Sequence, residues 1–135
     1  MYIVDAIVRS SALVLAAALA VGGGAQGAQV EEVRFGSGPY ELVGDLVLPD
    51  GPGPHPAVIV VAGSGPNTRT QVPGYGDVRK RFGDAGYAVF AWDKPGSGES
   101  IGDLVADVLT NRAAILVDGM ATLAARPDID AQRIG

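Results

Sequence analysis

At 135 residues with 47% apolar content, the chain is long enough for one domain and too apolar for wholesale disorder. Its formal net charge is -5, from 10 Lys and Arg against 15 Asp and Glu, and it has no basic cluster, which argues against nucleic acid as a partner. It has no cysteine, which excludes disulfides and thiolate metal sites, and one histidine, His55, which excludes a site built on several imidazoles.

Ala12 to Val21 is a run of ten apolar residues. That is too short to cross a hydrocarbon layer of ~30 Å at ~1.5 Å per residue, but it suits the core of a signal peptide. Gly22-Gly23-Gly24 breaks the helix, and Ala25-Gln26-Gly27 places small residues around a cleavage point. Residues 1–27 are therefore expected to be a signal peptide, directing the protein to the periplasm or the medium. Membrane contact is then confined to export. Asp5 cancels Arg9, so the leading segment is weakly charged; the alternatives are an uncleaved anchor or a misassigned start codon.

Residues 28–135 carry strand and helix patterns in alternation. Val30–Phe35 is a mixed strand, and Gly36-Ser37-Gly38-Pro39 is a turn cluster. From Tyr40 to Leu48 one face carries Leu42, Gly44, Leu46 and Leu48, the other Glu41, Val43, Asp45 and Val47. Two such runs joined by a Gly-rich turn predict an antiparallel hairpin. The Pro-rich segment 49–56 predicts an extended loop, with His55 facing solvent. Ala57–Val61 and Ala88–Trp92 are apolar on both faces, as in parallel strands covered by helices on both sides. Asp77–Ala85 predicts a helix ended by Gly86, and Asn111–Ala125 a second, with Leu116, Met120 and Leu123 as its apolar stripe. Gly119 inside that helix is unfavourable by about 1 kcal/mol relative to Ala. Arg133-Ile134-Gly135 reads as the start of a third parallel strand. The expected fold is α/β, a mostly parallel sheet preceded by an antiparallel hairpin. A three-residue strand at the terminus also leads to the expectation of a fragment.

Two loops follow the apolar strands. In Gly63-Ser64-Gly65 small residues expose main-chain N–H groups, which is what holding a developing oxyanion requires; a plain Gly-rich turn is the alternative. In the second loop Gly96 and Gly98 permit a sharp turn, while Asp93 and Ser100 are placed to bond backbone across it. A dinucleotide fingerprint fails there, because Ile101 occupies the third glycine position. Gly98-Glu99-Ser100-Ile101-Gly102 fits G-x-S-x-G, but the strand ends at Trp92 and no helix follows Ser100, so a nucleophile elbow is rejected.

The hairpin, the Pro-rich loop, the Ala57–Val61 strand, Gly63-Ser64-Gly65-Pro66, and Asp93-Lys94-Pro95-Gly96-Ser97-Gly98-Glu99-Ser100 together resemble the N-terminal half of an α/β-hydrolase. The resemblance is to the dienelactone-hydrolase, prolyl-oligopeptidase and serine-aminopeptidase branch. Residues 127–135 are similar to that family's lead-in to its nucleophile strand. The chain departs from the family at Pro95, where Arg is usual, and at Ala62, where many members have His.

The resemblance implies an incomplete α/β-hydrolase domain over residues 28–135, cut before the nucleophile elbow. It implies a serine hydrolase for a small-molecule ester or peptide, with no metal and no organic cofactor, and the leader segment adds the expectation of export. Nucleophile, acid and His would lie beyond Gly135, leaving no catalytic side chain here. Ser64 and Gly65 would supply oxyanion-hole N–H groups, with Gly63, Asp93, Gly96, Gly98 and Ser100 structural. A non-catalytic α/β ligand-binding module or pseudoenzyme is the alternative. Made alone, the chain is expected to bare an interior edge of Ala57–Val61 or Ala88–Trp92 and to dissolve poorly.

Overall fold

The computed structural model describes residues 28–106 and 111–135. The expected signal peptide, residues 1–27, lies outside them. Alternating side chains build β1 (Gln29–Ser37) and β2 (Tyr40–Leu48), paired antiparallel with Gln29 opposite Leu48 and Ser37 opposite Tyr40. There follow β3 (His55–Ile59), α1 (Tyr75–Asp84), β4 (Ala88–Trp92), α2 (Leu104–Ala106), α3 (Arg112–Ala124) and β5 (Ile129–Ile134).

The sheet order is β1-β2-β4-β3-β5. β3 runs parallel to β4 and β5, whereas β2 runs antiparallel to β1 and β4. The sheet is therefore evenly mixed rather than mostly parallel. The cause is the hairpin, which brings β2 against β4 in the opposing direction.

Residue burial corrects four details. β3 begins at His55, not Ala57, because the His55 N–H bonds Asp128 O at 2.8 Å and draws the end of the Pro-rich segment into the sheet. His55 is therefore buried, not a solvent-facing loop residue. β4 is buried at every position, but Val58 and Val60 are only partly covered and Val61 is exposed, because α1 packs chiefly on β4 and β2. β5 begins at Ile129 rather than Arg133, pairing Ile129 with His55 and Ile134 with Ala57 around an irregularity.

The fourth correction concerns α3. Its buried residues are Ile115, Gly119 and Leu123, while Leu116 is half-buried and Met120 exposed. Gly119 explains the rotation. A Cβ there would lie 3.1 Å from the Trp92 ring and 3.6 Å from the Phe35 ring, so the glycine lets the helix settle onto both. Phe35, Phe90 and Trp92 form one aromatic cluster with centroids 5.5 and 5.9 Å apart, which α3 covers through Ile115 and Leu123. Tyr75 and Phe82 of α1 cover Val89 and Ala91 on the other face.

The chain thus leaves β3 toward one face and β4 toward the other. Where connections from adjacent parallel strands diverge in this way, a crevice opens at their carboxyl ends. The loops of residues 60–74 and 93–103 meet there.

Candidate functional site

Side chains hold the carbonyl oxygens of residues 62–65. Arg112, the first residue of α3, donates through Nη2 to Ala62 O and, at 3.3 Å, to Gly63 O. Lys94 Nζ donates to Gly63 O and, at 3.1 Å, to Gly65 O. Asn67 Nδ2 donates to Ser64 O at 2.8 Å, and the Asn67 N–H to Gly65 O at 2.9 Å. Lys94 is buried beneath the loop, only 4% exposed. A cavity of about 10 Å³ beside it is lined by Val61, Ala62, Trp92, Lys94, Arg112 and Ile115. Ser64 is exposed and Gly65 half-buried. Among the described residues, no hydrogen bond uses the N–H of Ser64 or Gly65. A wider groove of about 760 Å³ opens elsewhere, between α1 and the hairpin strands, beside Val30, Val47, Arg79 and Gly86.

The second loop is a rigid support. Asp93, 2% exposed, accepts from the Arg69 N–H at 2.7 Å, from Arg69 Nη1, and from the Glu99 N–H at 3.0 Å. Arg69 also bonds Asp45 at 2.8 Å and Glu99 at 2.6 Å and approaches Glu32 at 3.7 Å. Burial works against its charge, but the bonds to Glu99 and Asp45 and the charge of Asp93 outweigh it and raise its pKa. The Glu99 carboxyl is lowered in turn by its bond to Arg69. Pro95 stands fully buried, and Asp93 takes its cation from Arg69. Gly98 has φ 53, and a Cβ there would fall inside the Asp93 carboxylate. Gly96, at φ 71, completes the turn.

Ser100 is buried. Its Oγ donates to Asp93 O at 2.7 Å and accepts from the Val43 N–H at 3.0 Å. It ties β2 to the loop, and both bonds occupy the hydroxyl. The sole histidine, His55, sits at the amino end of β3, whereas Ser100 lies in the loop beyond the carboxyl end of β4. Among the described residues no cluster of three or more His, Asp and Glu side chains is placed to hold a metal ion.

Sequence reasoning singled out the loop at Ser64 and Gly65 but missed Arg112, Asn67 and Arg69. For Arg112 a signal existed, since a cation in the first turn of a helix opposes the helix dipole and needs a partner elsewhere. Arg69 carried none, because its partners come from β1, β2 and the loop after β4.

No protein-family model matches the chain, and no curated protein matches it. The backbone superposes on an esterase from Pyrococcus furiosus with a TM-score of 0.66 at 22% identity, over 80% of this chain and 39% of that one. It superposes on dienelactone hydrolase from Anabaena variabilis with a TM-score of 0.57 at 25% identity, over 79% of this chain and 49% of that one. Acetyl xylan esterase 1 from Thermoanaerobacterium sp. gives 0.61 at 21% identity, over 80% and 39%. The likeness is one of fold, to dienelactone-hydrolase-like α/β-hydrolases and esterases, and this chain spans less than half the length of each of the three.

Proposed function

We propose that this chain, built on the α/β-hydrolase fold, is the N-terminal part of an exported serine hydrolase that cleaves ester or amide bonds. The observation that carries the proposal is the pair of N–H groups at Ser64 and Gly65, uncommitted among the described residues and set at the crevice beyond β3 and β4. The esterases among its structural neighbours support the substrate class. A Ser beyond residue 135 attacks the carbonyl carbon while a His takes its proton, and the two N–H groups hold the oxyanion that forms. The intermediate collapses to an acyl-enzyme as the His returns the proton to the leaving group. Water then releases the acid by the same route. The mechanism asks for no metal or organic cofactor.

The test is fluorophosphonate labelling of the complete protein, together with hydrolysis of a simple aryl ester. One labelled Ser beyond residue 135 is expected, and no activity from residues 28–135 alone. An unlabelled, inactive protein that still binds a small carboxylate favours the second reading, a non-catalytic binding module using the same N–H pair. Ester hydrolysis by 28–135 that is lost in Ser100→Ala overturns both. Export rests on residues 12–27, and an exported protein whose mass still includes Met1 argues against cleavage near Ala25 or Gly27.

A further inference from the structure

We infer that Lys94, with Arg112 and Asn67 beside it, is the positioning residue that aims and strengthens the N–H groups of Ser64 and Gly65. The inference rests on the proposed role of that loop in holding an oxyanion. In a trans peptide the C=O of one residue and the N–H of the next point in opposite directions. Whatever fixes the Gly63 carbonyl therefore fixes the Ser64 N–H on the far side. Whatever fixes the Ser64 carbonyl does the same for the Gly65 N–H. Lys94 Nζ holds the first and Asn67 Nδ2 the second, at 2.8 Å. The Gly65 carbonyl, held by Lys94 at 3.1 Å, is followed by Pro66, which has no N–H. That contact anchors the end of the loop without aiming a donor.

Packing does not do this work. A Cβ placed on Gly63 or on Gly65 would meet nothing within 4 Å. A Gly-Ser-Gly segment also has wide backbone freedom. Its N–H directions are therefore set by the side chains on its carbonyls.

Charge adds to direction. A cation on a carbonyl oxygen draws density through the amide and makes the N–H of the same peptide a better donor. The Ser64 N–H shares its peptide with Gly63 O, which accepts from both Lys94 and Arg112. Ser64 is accordingly the stronger donor of the pair.

The experiment compares Lys94→Met, Lys94→Arg and Asn67→Ala in the complete hydrolase. It reads kcat and KM on an aryl ester, the melting temperature, and inhibition by a trifluoromethyl ketone, which forms a tetrahedral oxyanion adduct with the nucleophile. Lys94→Met is expected to lose about 10- to 100-fold in kcat with KM within about twofold. Ketone affinity should fall by the same factor as kcat/KM. Lys94→Arg restores part of the loss, and Asn67→Ala shows a smaller one. A lower melting temperature with unchanged kcat and ketone affinity overturns the inference, because Lys94 is then only structural. If Lys94→Met does not fold, Asn67→Ala decides, and wild-type kcat in that variant overturns it. A wild-type protein that neither hydrolyses the ester nor takes the fluorophosphonate overturns the hydrolase reading itself, and this inference with it.

Discussion

Arg69 faces Asp45, Asp93, Glu99 and Glu32 with a single positive charge, and Asp93 among them is almost wholly out of water. Removing that cation leaves a buried carboxylate uncompensated, which costs more than the pair itself contributes. Arg69→Met should therefore lower stability by about 3–5 kcal/mol, read as a shift in the urea midpoint. A loss under about 1 kcal/mol, the range of exposed pairs, would show that water reaches Asp93. Tyr75 makes the opposite case. Its hydroxyl is buried with no hydrogen-bond partner among the described residues. Burial, opposed by the Arg79 cation over its ring, raises the phenol from 10.0 to about 12. The folded protein thus holds the phenolic proton more tightly than the unfolded chain does. This contribution is full below pH 10 and is lost as pH rises from 10 to 12. Tyr75→Phe should flatten that alkaline decline and add about 1 kcal/mol at neutral pH. Urea midpoints at both pH values check it, and an unchanged alkaline slope would count against it.

Strands and helices were legible in the sequence wherever a pattern is local. Alternation along Tyr40–Leu48 marks β2, and the run Ala88–Trp92 marks a strand that is buried throughout. What could not be read depends on distant partners. His55 enters β3 only because Asp128 supplies an acceptor for its N–H. Along α3 the spacing points to Leu116, Met120 and Leu123, but the buried face runs through Ile115, Gly119 and Leu123, because a glycine gives no apolar signal and yet is the point of contact with Trp92. At the candidate site, Gly63-Ser64-Gly65 announced available N–H groups. The cations behind them come from Lys94 and Arg112, across the fold. Gly119→Ala tests the helix contact. Alanine gains about 1 kcal/mol of helix propensity, but its Cβ presses on an indole wedged between Phe35 and Phe90. Overpacking of about 1–3 kcal/mol outweighs the gain. A net loss of about 1 kcal/mol is expected by urea unfolding, and a more stable variant would mean that Trp92 yields.

At the scale of the whole molecule, the two apolar strands expected to leave a bare edge are interior. β3 lies between β4 and β5, and β4 between β2 and β3. The edges are β1 and β5, and β5 carries Asp130 and Arg133, charges that discourage strand addition. Val30, Val61, Ile101 and Val105 are exposed on separate elements, whereas on α3 Ala113, Val117, Met120 and Ala124 share one outward stripe, with Val117 62% exposed. Self-association of residues 28–135 should therefore run through this helix. Val117→Lys should shift sedimentation toward monomer, and an unchanged profile would point to the β5 edge.

The strand order also dictates a timetable. Both sheet neighbours of β3 follow it in the chain, and the second neighbour of β2 is β4. As the polypeptide leaves the ribosome, only the β1–β2 hairpin finds a partner at once. β3 must wait, and β4 then engages β2 and β3 together, closing the sheet like a clasp. Such long-range closure is slow, because chain entropy is lost before contacts form. Val89→Ala, at the centre of that clasp, should slow refolding. Ile129→Ala in β5, which joins β3 only after β4, should mainly quicken unfolding. Stopped-flow chevrons separate the two, and equal effects on the refolding arm would mean that β5 is already in place when the clasp closes.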